Sequence, residues 1–229
     1  MISVILPTYN EKKNIYLVYT GLSKINIINE IIFVDDNSTD GTFLEIKNLR
    51  NKKVKGFLRK SKLKDLSKSV MYGVKKAKNN YILVMDCDLQ HDTKYIKKLW
   101  KKIFVSKSDI VVANRFTSKA YFGNLGLIRS TLSKLAIGTI NLIFGKKTSD
   151  PLSGFFICRK NLFLRHQKKF FLRGYKILFD LIYNSKKNIV VIDQDIIFQK
   201  RHYEKSKFNF YVIWLFFLQM LYTKFVVKK

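Results

Sequence analysis

The chain has 229 residues, of which 47% are apolar, enough to bury one sizeable core and to exclude a disordered chain. Lysine and arginine number 44 against 16 aspartates and glutamates, and the net charge of +28 favours polyanionic partners: nucleic acid, an anionic membrane leaflet or a phosphorylated substrate. Two cysteines, Cys87 and Cys158, exclude a disulfide framework and a cysteine zinc site and point to a reducing compartment.

The N-terminal residues Met-Ile-Ser-Val-Ile-Leu-Pro have no basic leader and read as a first strand over residues 3–6, halted by Pro7 and followed by the polar turn Thr8-Tyr9-Asn10-Glu11. A helix is expected over residues 14–23. A second buried strand over residues 30–34 breaks at Asp35-Asp36-Asn37-Ser38-Thr39-Asp40-Gly41, with a helix over 42–49. Residues 54–59 form a third strand, 66–78 a helix, and 81–85 a fourth strand that runs into Asp86-Cys87-Asp88-Leu89-Gln90-His91. Further on come a strand at 109–114 followed by Arg115, an amphipathic stretch at 121–144, and a Pro/Gly turn at 150–156 entering a strand. A helix at 175–183 and an extended run at 189–198 precede a mostly apolar, aromatic segment at 208–227. Continuous apolar strands alternating with helices predict an α/β layer fold around a mostly parallel sheet.

In such sheets ligands bind beyond the carboxyl ends of the strands. The three polar clusters, 8–11, 35–40 and 86–91, all fall there. Asp86 and Asp88, one residue apart after a buried strand, suit a hard divalent cation such as Mg²⁺ or Mn²⁺, which takes oxygen ligands and shares them with substrate phosphates. Gln90 can add an amide oxygen. Acidic clusters at the strand ends would repel a phosphate backbone, which argues against a nucleic-acid binder despite the charge.

The segments VILPTYNE (4–11), IIFVDDNSTDGT (31–42), ILVMDCDLQH (82–91), DIVVANRF (109–116), DPLSGFF (150–156), GYKIL (174–178) and FQKRHYEKSKF (198–208) occur in an order that resembles the family-2 glycosyltransferases. They are most similar to its polyprenol-phosphate sugar synthase branch, the dolichol-phosphate mannosyltransferases. The resemblance covers roughly residues 2–208. DPLSGFF, GYKIL and the Arg…Ser-Lys ending are its most specific parts. The chain departs from the pattern at Cys87, where a small residue is usual, at Asp65 before Leu66, where glycine is usual, at Asp92-Thr93, and at Glu204.

The resemblance implies a GT-A fold, a nucleotide-sugar donor and a divalent metal. Carried over residue by residue, Pro7, Tyr9, Glu11, Val34 and Asp36 hold the nucleoside. Asp86, Cys87 and Asp88 meet the donor, with Asp86, Asp88 and Gln90 as the metal set. Arg115, Arg201 and Lys207 sit around the donor phosphates and sugar, and Arg129 and Lys176 near an acceptor phosphate. Asp88, Arg115, Arg129 and Lys176 are thus the expected catalytic group. The implied reaction is inverting transfer of a sugar, with mannose from GDP-mannose the first expectation, to a polyprenyl or dolichyl phosphate. A lipid phosphate is mostly ionised at neutral pH because its second pKa is about 6, so it needs cations around it rather than a strong base. The alternative is a family-2 enzyme using UDP-glucose or another donor with a saccharide acceptor, for which Asp150 is the candidate base.

A membrane-resident acceptor predicts an enzyme on the cytoplasmic face of a membrane. Residues 1–207 are read as the transferase domain and 208–229 as a membrane-associating segment. Its residues 208–227 match the ~20 residues needed to span. Asn209, Gln219, Thr223 and Lys224 interrupt it, and Trp214 with its aromatic neighbours also suits a helix lying in the interface.

Overall fold

The computed structural model describes residues 1–116, 127–185, 188–200 and 210–227; the side chains of 127–129 and 227 lie outside that description. Its strands are β1 (Ile2–Thr8), β2 (Ile28–Asp35), β3 (Val54–Leu58), β4 (Tyr81–Val84), β5 (Ile110–Asn114), β6 (Phe156–Arg159) and β7 (Val191–Asp195). They form one sheet in the order β3-β2-β1-β4-β6-β5-β7. All neighbours run parallel except β6, which is antiparallel to both β4 and β5. Every residue of β1 is buried, as a central strand covered on both faces requires.

The helices are α1 (Lys12–Ser23), α2 (Thr42–Asn48), α3 (Leu66–Lys76), α4 (Ile96–Val105), α5 (Leu127–Phe144), α6 (Lys160–His166), α7 (Ile177–Tyr183) and α8 (Phe210–Tyr222), the last continuing as a wider turn over Thr223–Val227. Strand periodicity sorts them into two layers. Val4, Leu6, Ile31 and Phe33 face a core closed by α1, α2 and α4, while Ile5, Ile32 and Val34 face one closed by α3, α5, α6 and α7. The expected α/β fold with a mostly parallel sheet is therefore what forms. Two helices, α4 and α6, lie where no helix was expected. Ile96, Leu99 and Ile103 of α4 show the three-to-four residue spacing of a buried face.

α8 is seated on the second core through one face. Val212 and Leu215 are buried, and the Phe216 ring meets Phe179 of α7 edge-on with centroids 5.5 Å apart. The opposite face is open: Phe210 is 81% exposed, and Trp214 and Phe217 are about half exposed. α5 is similar, with Leu142 88% exposed and Ile140 buried. Among the described residues no helix is long and apolar enough to cross a membrane.

Candidate active site

The strand register brings the polar clusters to one edge. Pro7 lies opposite Val34 and Thr8 opposite Asp35, while Ile5 pairs with Val84. Continuing that last ladder past β4 sets Asp86 level with Pro7. On the other side Val84 pairs with Phe156 of the antiparallel β6, and the same ladder continued sets Asp86 against Gly154. This explains the glycine in Asp-Pro-Leu-Ser-Gly: a Cβ at 154 would stand 2.2 Å from Asp86 Oδ2.

The loops after β1 and β2 are fastened to each other by side chains. Asn10 N–H donates to Ser38 Oγ at 2.8 Å, and Thr39 N–H to Asn10 Oδ1 at 3.0 Å. Glu11 N–H donates to Thr42 Oγ1 and Lys12 N–H to Asp40 Oδ2. Asp35 accepts from Thr8 and from both the backbone and hydroxyl of Ser38. Asn10 and Asn37 both take positive φ in these turns, a conformation asparagine tolerates better than most residues. Asp36 turns inward, meets Arg59 at 2.5 Å and accepts the Asp65 N–H at 2.8 Å. Burial pushes its carboxyl upward, and Arg59 only partly offsets this.

Asp65 occupies the position where the family pattern has glycine, and its carboxylate is used. It accepts the Gly174 N–H at 2.9 Å and pairs with Lys68 at 3.3 Å, while Ser67 N–H donates to the Gly174 carbonyl at 3.0 Å. The start of α3 is thereby tied to the GYKIL segment, whose glycine has φ +75.

Between these walls lies a cleft lined by Pro7, Tyr9, Glu11, Asp36, Asp86, Cys87, Asp88, Gln90, Arg115 and Lys176, ten of the positions singled out from the sequence. Thr8, Lys64, Leu66, Ser69, Leu152, Gly154, Tyr175, Phe198 and Val212 complete it. Val34 does not reach the cleft; its side chain is fully buried in the core beneath. Arg201 and Lys207 lie outside the described residues, as does the side chain of Arg129 in the first turn of α5. Arg59 and Lys64 were missed, although both sit in the basic run after β3; Lys64 Nζ stands 5.5 Å from the centroid of the Tyr9 ring.

Asp86 keeps 34% of its side-chain exposure at the mouth of the cleft, and His91 Nε2 lies 3.5 Å from its Oδ2. Burial favours the neutral carboxyl, but His91, Lys176 and Arg115 outweigh it and hold Asp86 below the usual carboxylate range. The His91 ring is clasped by Phe155 and Phe198, with centroids 5.1 and 5.3 Å away. Asp88 Oδ1 accepts the Gln90 N–H at 3.1 Å, and Leu89 between them takes φ +62. Gln90 ties the cleft to the chain leaving β7: its Nε2 donates to the Gln199 carbonyl at 3.2 Å, and its own carbonyl accepts Gln199 N–H at 3.0 Å.

Arg115 is locked by Asp150 through two side-chain bonds, Nε to Oδ2 at 2.6 Å and a terminal nitrogen to Oδ1 at 2.9 Å. Its guanidinium also stacks 5.4 Å from the centroid of Phe198. Asp150 is 0% exposed. It therefore has no access to an acceptor hydroxyl, and the expectation that it could serve as a base gives way to its role as partner of Arg115. Lys176 Nζ donates to the Leu152 carbonyl at 3.4 Å, in the same turn as Gly154.

The donor set fits a hard cation. An ionised, partly open Asp86 and a neighbouring Asp88 offer oxygen ligands facing one cleft. Among the described residues no group of three or more His, Cys, Asp or Glu converges; hard cations that share their ligands with substrate phosphates are commonly held by one or two carboxylates.

Residues 3–166 match the family described as glycosyl transferase family 2. The chain is 34% identical over 194 residues to a dolichol-phosphate mannosyltransferase of Pyrococcus furiosus, covering 83% of this chain and 54% of that protein. It is 31% identical over 193 residues to a dolichol-phosphate mannosyltransferase of Saccharomyces cerevisiae, covering 79% of this chain and 69% of that protein. The chain thus spans about half the length of the archaeal relative. Among solved structures it resembles a glucosyl-3-phosphoglycerate synthase of Mycobacterium tuberculosis in complex with Mn²⁺, UDP-glucose and phosphoglyceric acid, with a TM-score of 0.68 and 15% identity, covering 90% of this chain and 72% of that one. That likeness shows the fold, which is GT-A. With the sheet order, the Asp86 carboxylate against Gly154 and the family match agreeing, the chain belongs to glycosyl transferase family 2.

Proposed function

We propose that the chain transfers a mannosyl group from GDP-mannose to a polyprenyl or dolichyl phosphate at a membrane surface, with a divalent cation. The names of the relatives support the sugar and the acceptor. The observation that carries the reading is the pairing of Asp150 with Arg115. It engages Asp150, the carboxylate considered as base for a saccharide acceptor, while Arg115 and Lys176 line the cleft as cations. A phosphate nucleophile, already ionised near neutral pH, suits such a wall.

Asp86 and Asp88 would hold Mg²⁺ or Mn²⁺, with Gln90 close by. The cation, when bound, neutralises charge on the leaving nucleoside diphosphate. Pro7, Tyr9, Glu11 and Asp36 line the part of the cleft assigned to the nucleoside. Arg115, fixed by Asp150, presents preorganised positive charge to the diphosphate. Lys176 faces the acceptor phosphate and lowers the repulsion between two anions. An acceptor oxygen attacks the anomeric carbon, the bond to the diphosphate breaks with its electron pair, and one displacement inverts the centre.

The exposed apolar faces of α5 and α8 support docking in the interfacial region of a bilayer. Lys134, Lys146 and Lys224, all exposed, add attraction to an anionic leaflet. A screen of radiolabelled nucleotide sugars against a prenyl phosphate and free saccharides tests the whole reading. Labelled prenyl phosphate with GDP-mannose is expected; label in a free saccharide overturns it.

A further inference from the structure

Gln219 is the one amide in the helical run Phe210–Tyr222, and it is 1% exposed. Its Nε2 donates to the backbone carbonyl of Lys176 at 3.1 Å. Its amide also lies near enough to Asp180, one turn further along α7, to favour the ionised carboxylate. Asp180 in turn accepts Leu172 N–H at 3.2 Å and Asn184 Nδ2 at 3.0 Å. One turn back on α8, Leu215 lies against Gly174, where a Cβ would be 3.5 Å from the leucine's own Cβ. Residues 172–180, which carry Lys176 into the cleft, are therefore gripped from α8 by one polar and one apolar contact.

We infer that Gln219 is a positioning residue for the transfer reaction, holding the backbone of Lys176 so that its ammonium is set between the Leu152 carbonyl and Asp86 on the acceptor side of the cleft. An apolar residue at 219 would keep the packing, leave the Lys176 carbonyl with only the long bond from Asp180 N–H at 3.5 Å, and loosen the lysine without touching the nucleotide wall. Burying an amide in an apolar helix is unfavourable unless it is bonded, and here the bond goes to the segment that bears the lysine. The inference rests on the proposed role of Lys176 towards an acceptor phosphate.

The test uses the full chain as Gln219→Met, similar in length without donors, and Gln219→Lys, which restores a donor to the carbonyl and sets a cation against Asp180. Hydrogen exchange over residues 172–180 is measured beside steady-state transfer to a short prenyl phosphate. Gln219→Met is expected to speed exchange in that segment at least tenfold. It should also raise the KM for acceptor about tenfold, with the KM for nucleotide sugar within twofold. Gln219→Lys should recover most of both. Equal changes in the two KM values, unchanged exchange, or identical behaviour of the two variants overturns the inference. So does failure of both variants to fold, which would make the amide a folding element only. A wild-type protein that transfers nothing to prenyl phosphate defeats the lipid-phosphate reading, while the exchange data still judge the grip on Lys176.

Discussion

The two sides of the cleft are built by different physics. The nucleotide side, from β1 to β4, is held by polar zippers: Asn10 to Ser38 and Thr39, Glu11 to Thr42, Lys12 to Asp40. Its turns are short and follow level strand ends. The acceptor side, from α5 through α8, is held by rings and aliphatic chains. Phe179 receives Phe144 from α5 and Phe216 from α8, and one buried polar node sits among them at Asp180. The first construction suits a water-soluble ligand with many hydrogen-bonding groups. The second leaves apolar faces uncovered, which suits a ligand that arrives from lipid. Errors on the first side should damage chemistry, and errors on the second should damage stability, acceptor use or surface binding.

The largest effect is expected at Asp88. Asp88→Asn should lower transfer on the order of a thousandfold, since neutralising a leaving diphosphate is worth several kcal/mol. Thermal unfolding should stay near wild type because the side chain faces the cleft. Undiminished transfer, or full activity in excess EDTA, would remove the metal role.

Next comes Asp180, where the acceptor side shows its cost. Burial raises its carboxyl from the ordinary 3.8 to about 6, against the bonds from Gln219, the backbone and Asn184. The folded state then holds the proton more tightly than the unfolded one. Stability is greatest below about pH 4 as far as this group is concerned, falls as pH rises towards 6, and is lower by about 3 kcal/mol above that. Asp180→Asn should remove that slope between pH 4 and 6 in urea unfolding. A mutant with the wild-type slope would assign it to another group.

Gly154→Ala probes where the two sides meet. A methyl 2.2 Å from Asp86 Oδ2 must displace the carboxylate, and a shift near 1 Å in a reacting group costs about a hundredfold in kcat. Metal titration should show weakened activation as well. Wild-type activity would mean that the turn can retreat without consequence.

The smallest effect is expected at Leu142, exposed at the end of α5. Leu142→Glu should change stability by under about 0.5 kcal/mol. In vesicle sedimentation it should lower binding to anionic bilayers roughly fivefold, through lost apolar area and added repulsion. Unchanged sedimentation would detach α5 from the proposed membrane surface.

Much of the nucleotide side was legible because its signals are local. Strands appear as continuous apolar runs, and the polar clusters follow them directly. The first helix begins at Lys12 rather than Asn14 because Asp40, on another loop, accepts the Lys12 N–H, a contact that hydrophobic periodicity does not record. The antiparallel sense of β6 was not legible, since a four-residue strand carries no mark of direction. Asp150 was misread for a related reason: the loop it stands on resembles a place for a base, while its partner Arg115 is 35 residues away. Asp65 showed in the sequence only as a departure from a pattern, and its bond to Gly174, 109 residues on, gives it a use.

The reversed strand β6 also decides which stretches of chain meet. Because it enters the sheet from the opposite direction, the turn before it reaches Asp86 across the ladder, although residues 86 and 154 belong to distant stretches of chain. The edge of the cleft is thus a seam between an earlier and a later stretch of the chain, paired along β4 and β6 and in close approach at Gly154. A change in the turn before β6 is therefore felt at Asp86, provided position 154 keeps no side chain that would push the carboxylate aside.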